Sequence, residues 1–94
     1  MYKIIIFGTG LYGKQALQFF TRENVMFWTD NKEDLHGKLI EGIEVIPPSE
    51  LKKYLNECVI VIAAKPEFFN QIKYQLNKEY GIEMALNYTF LKSY

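Results

Sequence analysis

Short apolar runs and longer stretches with helical periodicity alternate along this chain. A short continuous apolar run is typical of a strand that a parallel sheet buries on both faces, whereas apolar residues spaced three and four apart are typical of an amphipathic helix. The apolar runs predict strands at residues 3–7, 25–29, 43–46, 59–64 and 82–86.

The stretches between these runs predict helices. The predicted helices cover residues 11–22, residues 50 to 55 or 56, and residues 66–80. Ser49 is a suitable N-cap for the second helix, and the third begins with Pro66 and ends before Gly81. The polar segment 31–42 predicts a loop with room for a short helical turn, and residues 87–94 form a tail that is either helical or unpaired.

Strands that alternate with helices indicate an α/β fold with parallel strands and right-handed crossovers. We expect a Rossmann-like three-layer sandwich whose parallel sheet has about five strands in the order 3-2-1-4-5. The 94 residues contain no internal repeat and no linker. The whole chain, 1–94, is therefore predicted to be one Rossmann-like nucleotide-binding domain, or a fragment of a longer enzyme.

A glycine-rich turn joins the first predicted strand to the first predicted helix. Its residues are Gly8-Thr9-Gly10-Leu11-Tyr12-Gly13. A G-x-G-x-x-G pattern in this context is typical of dinucleotide binding. Gly8 permits the tight turn, Gly10 lets the backbone approach a pyrophosphate, and Gly13 lets the helix pack closely. Free N–H groups at the helix start would hold the phosphate charge, although the same turn can also serve folding alone.

Further candidates lie where ligands of such sheets bind, beyond the carboxyl ends of the strands. They are Asp30, Asn31, Ala63, Ala64 and Lys65. Asp30 can accept hydrogen bonds from ribose hydroxyls, which favours NAD or a nucleotide sugar over a 2′-phosphorylated cofactor, or it can cap the next turn. Lys65 would pair with a phosphate or be solvated. Tyr12 would shield the ligand or pack against its own helix.

Charge and composition exclude several functional classes. Eleven basic residues balance eleven acidic ones, so there is no electrostatic case for a nucleic-acid partner. No apolar stretch reaches the length of a bilayer span, and we expect neither membrane insertion nor a signal peptide. The single cysteine, Cys58, has no partner for a disulfide or a metal site, and a reducing cytoplasmic location fits best.

The sequence shows no set of residues that would make a self-contained active site. His36, the only histidine, lies in a polar loop and is expected at the surface. Tyr74 and Lys78 have the Tyr-x-x-x-Lys spacing of short-chain dehydrogenases, but helical periodicity directs both to solvent. We therefore predict no catalytic residue and no metal site.

Several segments together carry a resemblance to a known family. They are residues 4–10 with Gly13, Trp28-Thr29-Asp30-Asn31, Gly37, residues 42–46, Pro48-Ser49-Glu50-Leu51, and the later segments 60–63, 71–76 and 81–82. This pattern resembles the small Rossmann-like domain of bacterial surface-glycan enzymes. Such domains stand at the front of nucleotide-sugar acetyltransferases and of sugar-nucleotide epimerase/dehydratases. The resemblance spans about residues 3–86.

The resemblance implies a domain that binds NAD or a UDP-sugar and serves sugar-nucleotide or surface-polysaccharide biosynthesis. By this analogy Gly8, Gly10, Gly13 and Asp30 line the pocket. The chain lacks the catalytic modules of those enzymes, which predicts a domain that is not catalytic alone and acts with a catalytic partner domain or as a homodimer. Two alternatives stay open: a minimal NAD-dependent epimerase/dehydratase or oxidoreductase, and an NAD-sensing regulatory domain.

Overall fold

The computed structural model describes residues 2–93 and shows one six-stranded sheet with helices on both faces. The strands are β1 (Lys3–Phe7), β2 (Val25–Thr29), β3 (Leu39–Ile40), β4 (Ile43–Ile46), β5 (Cys58–Ile62) and β6 (Leu86–Asn87). The α-helices are α1 (Leu11–Phe20), α2 (Pro66–Tyr80) and α3 (Tyr88–Leu91), and short 3-10 helices cover Arg22–Asn24, Glu33–Leu35 and Pro48–Tyr54.

The strand order is β3-β4-β2-β1-β5-β6. Every pairing from β4 to β6 is parallel, so these five strands have the predicted order 3-2-1-4-5 and the α/β Rossmann-like prediction is confirmed. The sixth strand, β3, pairs antiparallel with β4 at the edge. It lies inside the segment 31–42 that was predicted as a loop. The β3–β4 hairpin closes on Glu41 and Gly42, which both have positive φ, 55° and 79°.

The first helix is shorter than predicted, and the second is of a different type. The helix predicted at 11–22 ends at Phe20, because Thr21 adopts φ 69° and breaks the helical path. The segment after β4 is a 3-10 helix whose N-cap is Pro47, and Ser49 makes no capping hydrogen bond. The Glu50 N–H donates to the Pro47 carbonyl at 3.0 Å, the three-residue spacing of a 3-10 turn.

The last two strands also differ from their predicted limits. The strand predicted at 59–64 covers Cys58–Ile62. The strand predicted at 82–86 begins only at Leu86, because the Ile82 N–H donates to the Leu76 carbonyl in the C-terminal cap of α2 and is lost to the ladder. The tail predicted at 87–94 begins in β6 and continues into α3, and Tyr94 lies outside the described residues.

Two apolar cores, one on each face of the sheet, stabilise the sandwich. Ile5 and Phe7 of β1 point to the face of α2, where Leu76 and Leu51 are fully buried. Ile6 points to the opposite face and packs with Ala16 and Leu17 of α1. Each fully buried large side chain stabilises the fold by about 1.5–3 kcal/mol. This alternation along a single strand confirms the three-layer arrangement.

None of the helices within residues 2–93 combines the length and the apolar character that crossing a bilayer requires.

Candidate functional site

The turn between β1 and α1, residues 8–13, brings bare backbone to the carboxyl edge of the sheet. Gly8 has φ 119°, and a Cβ at this position would overlap the carbonyl oxygen of Ala63. Its N–H donates to the Thr29 carbonyl at 2.8 Å. The turn is thus held between β2 and the end of β5, and only glycine fits there.

The other two glycines of this turn have opposite surroundings. Gly13 is buried, and a Cβ there would overlap the Gly8 carbonyl oxygen and lie 3.2 Å from the ring of Trp28. Gly10 is exposed, and a Cβ added to it would meet nothing within 4 Å. Gly13 therefore serves the packing of α1 on the sheet, whereas Gly10 leaves the N-cap backbone of α1 open to solvent and to a ligand.

Asp30 connects the segment after β2 to the glycine turn. Its Oδ2 accepts from the Thr9 N–H at 3.0 Å and from the Thr9 hydroxyl at 2.8 Å. Its Oδ1 accepts from the Lys32 N–H at 3.1 Å. The capping role considered from the sequence is therefore present, together with a contact to Thr9 that the sequence did not indicate. A carboxylate accepts about four hydrogen bonds, so capacity remains for a ligand hydroxyl.

A cavity of about 480 Å³, called here the turn cavity, opens beside these groups. Its wall includes ten of the eleven predicted site residues: Gly8, Thr9, Gly10, Leu11, Tyr12, Asp30, Asn31, Ala63, Ala64 and Lys65. Gly13 lies beneath the turn and does not line it. The convergence follows from the parallel sheet, because the ends of β1, β2 and β5 meet at one edge.

Four further residues line the turn cavity: Phe7, Lys32, Phe68 and Ile72. Phe68 and Ile72 lie one helical turn apart on α2, a spacing that the sequence displays but that also fits a core-facing stripe. The α1 N-terminus has no acidic residue in its first turn. With Lys32 and Lys65 in the wall, the cavity combines a positive helix end, two ammonium groups and one carboxylate.

A second cavity of about 570 Å³, called here the flanking cavity, lies on the α2 side of Asn31. It is lined by Asn31, Glu33, His36, Pro47, Pro48, Ser49, Gln75, Glu79 and Tyr80. His36 is half-buried in the wall of this open cavity, and its Nε2 lies 2.7 Å from the Asp30 carbonyl oxygen. The histidine therefore helps to hold the backbone of Asp30 in place.

The remaining reactive side chains lie apart from the turn cavity. Tyr74 and Lys78 are exposed on α2, as helical periodicity predicted. Cys58 is buried at the start of β5, and burial, with a smaller effect of Glu57, raises the pKa of its thiol. Within residues 2–93, no three His, Cys, Asp or Glu side chains are close enough to hold a metal ion.

Known structures of similar shape share the fold of this chain. The chain matches UDP-D-quinovosamine 4-dehydrogenase from Vibrio fischeri with a TM-score of 0.67 and 18% identity, over 92% of this chain and 75% of that one. The Rex-family repressor RSP matches with a TM-score of 0.66 and 20% identity. RSP bound to β-NAD⁺ and operator DNA gives a TM-score of 0.65 and 22% identity.

The matches to RSP include 92% of this chain but only 42% to 44% of the two RSP chains. Identities of this size establish the fold alone. One of these neighbours is bound to DNA, so the expected absence of a nucleic-acid partner stays a prediction. No curated protein sequence matches the chain.

A family model gives the more direct assignment, since it covers residues 1–85. That span includes β1 to β5, both long helices and the whole wall of the turn cavity. The chain belongs to the family described as C2185-like, N-terminal.

Proposed function

We propose that this domain binds NAD(H) in the turn cavity. The observation that carries the proposal is the meeting of Gly10, the α1 N-terminus and Asp30 around one open cavity. The pyrophosphate would lie against the exposed backbone of Gly10 and Leu11, where free N–H groups and the helix dipole favour negative charge. Lys65, which is exposed and lines the same cavity, would add a point charge.

Asp30 would bind the ribose next to this phosphate. A carboxylate accepts hydrogen bonds from two ribose hydroxyls but repels a 2′-phosphate, so NAD(H) is expected to bind more tightly than NADP(H). The Thr9 N–H and hydroxyl, now bonded to Asp30 Oδ2, would be shared with the ligand. The likeness in fold to RSP bound to β-NAD⁺ or β-NADH supports the same choice of ligand.

A UDP-sugar is the second candidate. The specific support is the likeness in fold to a dehydrogenase of UDP-D-quinovosamine, of whose chain 75% is covered. Under this alternative the uridine diphosphate would lie in the turn cavity. In both cases we propose a binding domain that acts with a catalytic partner in bacterial sugar-nucleotide or surface-polysaccharide synthesis. A cytoplasmic setting suits the unpaired, buried Cys58.

Calorimetric titration with NAD⁺, NADH, UDP and UDP-GlcNAc tests this proposal. We expect NAD⁺ or NADH to bind, and the Gly10→Val variant to lose at least tenfold in affinity, because the branched side chain would fill the space above the turn. Gln18→Val, an exposed position on the same helix, is the matched control and should bind like the wild type.

Far-UV circular dichroism should be unchanged in both variants, since a Cβ at Gly10 meets no atom within 4 Å. Binding of the uridine ligands alone would favour the UDP-sugar alternative. Unchanged affinity in Gly10→Val, or no binding of any of the four ligands by the wild type, would refute nucleotide binding in the turn cavity.

A further inference from the structure

Two side-chain amides meet at the boundary between the turn cavity and the flanking cavity. Asn31 Nδ2 donates to Gln75 Oε1 at 2.9 Å, and Gln75 Nε2 donates to Asn31 Oδ1 at 2.7 Å. The two residues are 44 positions apart and connect the segment after β2 to α2. We propose that this amide pair opens to bind the hydrogen-bonding edge of the nucleobase of the ligand.

This inference rests on the proposed function, which brings the base of the ligand to the amide pair. With phosphates on the glycine turn and the ribose at Asp30, the base must extend away from the turn. Asn31 is the next residue along the chain, and it lines both cavities. A base attached to that ribose therefore arrives at Asn31 and Gln75.

Apolar side chains stand next to the amides. Ile72 lies three residues before Gln75 on α2, so the two share one side of the helix. Ile72 and Phe68 both line the turn cavity, as does Ala64, which follows β5. A flat heteroaromatic ring needs an apolar surface for its faces and a few polar groups for its edge. Ile72 lines the turn cavity and Gln75 lines the flanking cavity, so the apolar surface and the polar group lie within one helical turn of α2.

The chemistry of the amides matches a base edge. A primary amide presents a donor and an acceptor side by side, and two amides satisfy each other in a cyclic pair. Adenine offers the same adjacent pattern with N6–H and N1, and uracil with N3–H and O4. Either base can replace one amide in the cyclic pair and conserve the number of hydrogen bonds. Asn31 is exposed to water, so the pair opens at little cost.

The flanking cavity favours a neutral group at this end of the ligand. Glu33 and Glu79 line it, and none of its described lining residues is lysine or arginine. A phosphate would be repelled there, whereas an uncharged base would not. The phosphate end and the base end of the ligand are thereby distinguished.

The test compares ligands with and without a base in the full 94-residue chain. ADP and UDP are titrated calorimetrically, and ribose 5-diphosphate, which lacks a base, is measured by its displacement of whichever nucleotide binds. In Gln75→Leu we expect about a tenfold loss of affinity for the nucleotide and less than a twofold change for ribose 5-diphosphate, since only base contacts are removed. Gln71→Leu makes the same change one helical turn earlier, at an exposed position, and should bind all ligands like the wild type.

Gln75→Glu provides a second variant that keeps the shape of the side chain and removes both of its donors. This variant should lower the affinity for the nucleotide in the same way. The nucleotide whose affinity falls, ADP or UDP, identifies the base. Equal losses for the nucleotide and for ribose 5-diphosphate would overturn the assignment, as would no loss for either. If the wild type binds none of these three ligands and none of NAD⁺, NADH and UDP-GlcNAc, the nucleotide-binding function itself is refuted. Binding of NAD⁺ or NADH without binding of ADP or UDP would overturn the base assignment alone.

Discussion

The carboxylate of Asp30 already accepts three hydrogen bonds from the protein in the absence of a ligand. It holds the Thr9 backbone and hydroxyl on one oxygen and the Lys32 backbone on the other. Hydrogen bonds to a charged group contribute about 1.5–3 kcal/mol where they are shielded from water. Asp30 thus orients the glycine turn before any nucleotide arrives, and a ligand that binds there meets a preorganised wall.

Gly13 and Gly10 are expected to differ sharply in what an added methyl group does to stability. Gly13→Ala places a Cβ against the Gly8 carbonyl oxygen, which is backbone and cannot yield. We expect it to lower the free energy of unfolding by about 2–3 kcal/mol. Gly10→Ala has open space and should change that free energy by less than about 1 kcal/mol. Urea unfolding followed by circular dichroism measures both, and equal stabilities would contradict the packing role of Gly13.

Among the elements, β3 was not predicted, because the turn of the β3–β4 hairpin lacks the usual sequence of its type. A two-residue loop with positive φ at both positions is a type I′ turn, whose usual sequences are Asn-Gly and Asp-Gly. Here the residues are Glu41 and Gly42, so the strongest sequence signal for a hairpin is missing. Trp28 secures the hairpin from the core, because its Nε1–H donates to the Ile40 carbonyl at 2.9 Å.

Replacement of Glu41 by asparagine should stabilise this hairpin. Asparagine adopts the left-handed conformation at lower cost than glutamate, and Glu41 has φ 55°. The ion pair with Arg22 that would be lost spans 3.6 Å between exposed side chains and contributes little. We expect Glu41→Asn to raise the free energy of unfolding by about 0.5–1 kcal/mol. Glu41→Gln, which removes the charge alone, is the control, and the strain explanation fails if both variants stabilise equally.

The molecule as a whole should lose stability in alkaline solution. Burial, then the charge of Glu57, raises the pKa of Cys58, and burial with the charge and hydrogen bond of Glu79 raises the pKa of Tyr80. Both groups are neutral when protonated, so the folded state holds its protons to higher pH than the unfolded state does. The contribution is complete below about pH 8.5, the ordinary cysteine value, and falls as pH rises through the raised values.

Urea unfolding midpoints at pH 7, 8.5 and 10 measure this decline. We expect the midpoint to fall from pH 8.5 to pH 10, and Cys58→Ala, which removes the thiol, to fall less steeply. A midpoint that stays constant over this range would contradict the two pKa shifts. The variant controls for the general loss of stability from changes in net charge, because its surface is that of the wild type.

The parts of the fold that could be predicted are those whose pattern lies in residues close together in the sequence. Apolar periodicity is local, and it predicted β1, β2, β4, β5 and both long helices with errors of a few residues. The prediction of a strand at Ile82 was wrong, because the Ile82 N–H donates to the Leu76 carbonyl in the C-terminal cap of α2. The ten cavity residues were predicted together because parallel strands of this order bring their carboxyl ends to one edge.

By itself the sequence determined the α/β class, the order of the parallel strands and the location of the glycine turn, since these depend on periodicity and on residues close together in the chain. Only the tertiary structure decided the partners of Asp30, the pairing of Asn31 with Gln75 and the antiparallel β3. Those contacts join segments that are 21 and 44 residues apart in the first two cases. In the third case they depend on a turn conformation that glutamate rarely adopts. Side-chain hydrogen bonds of this kind leave no period in a sequence, because they form only once the sheet has brought the segments together.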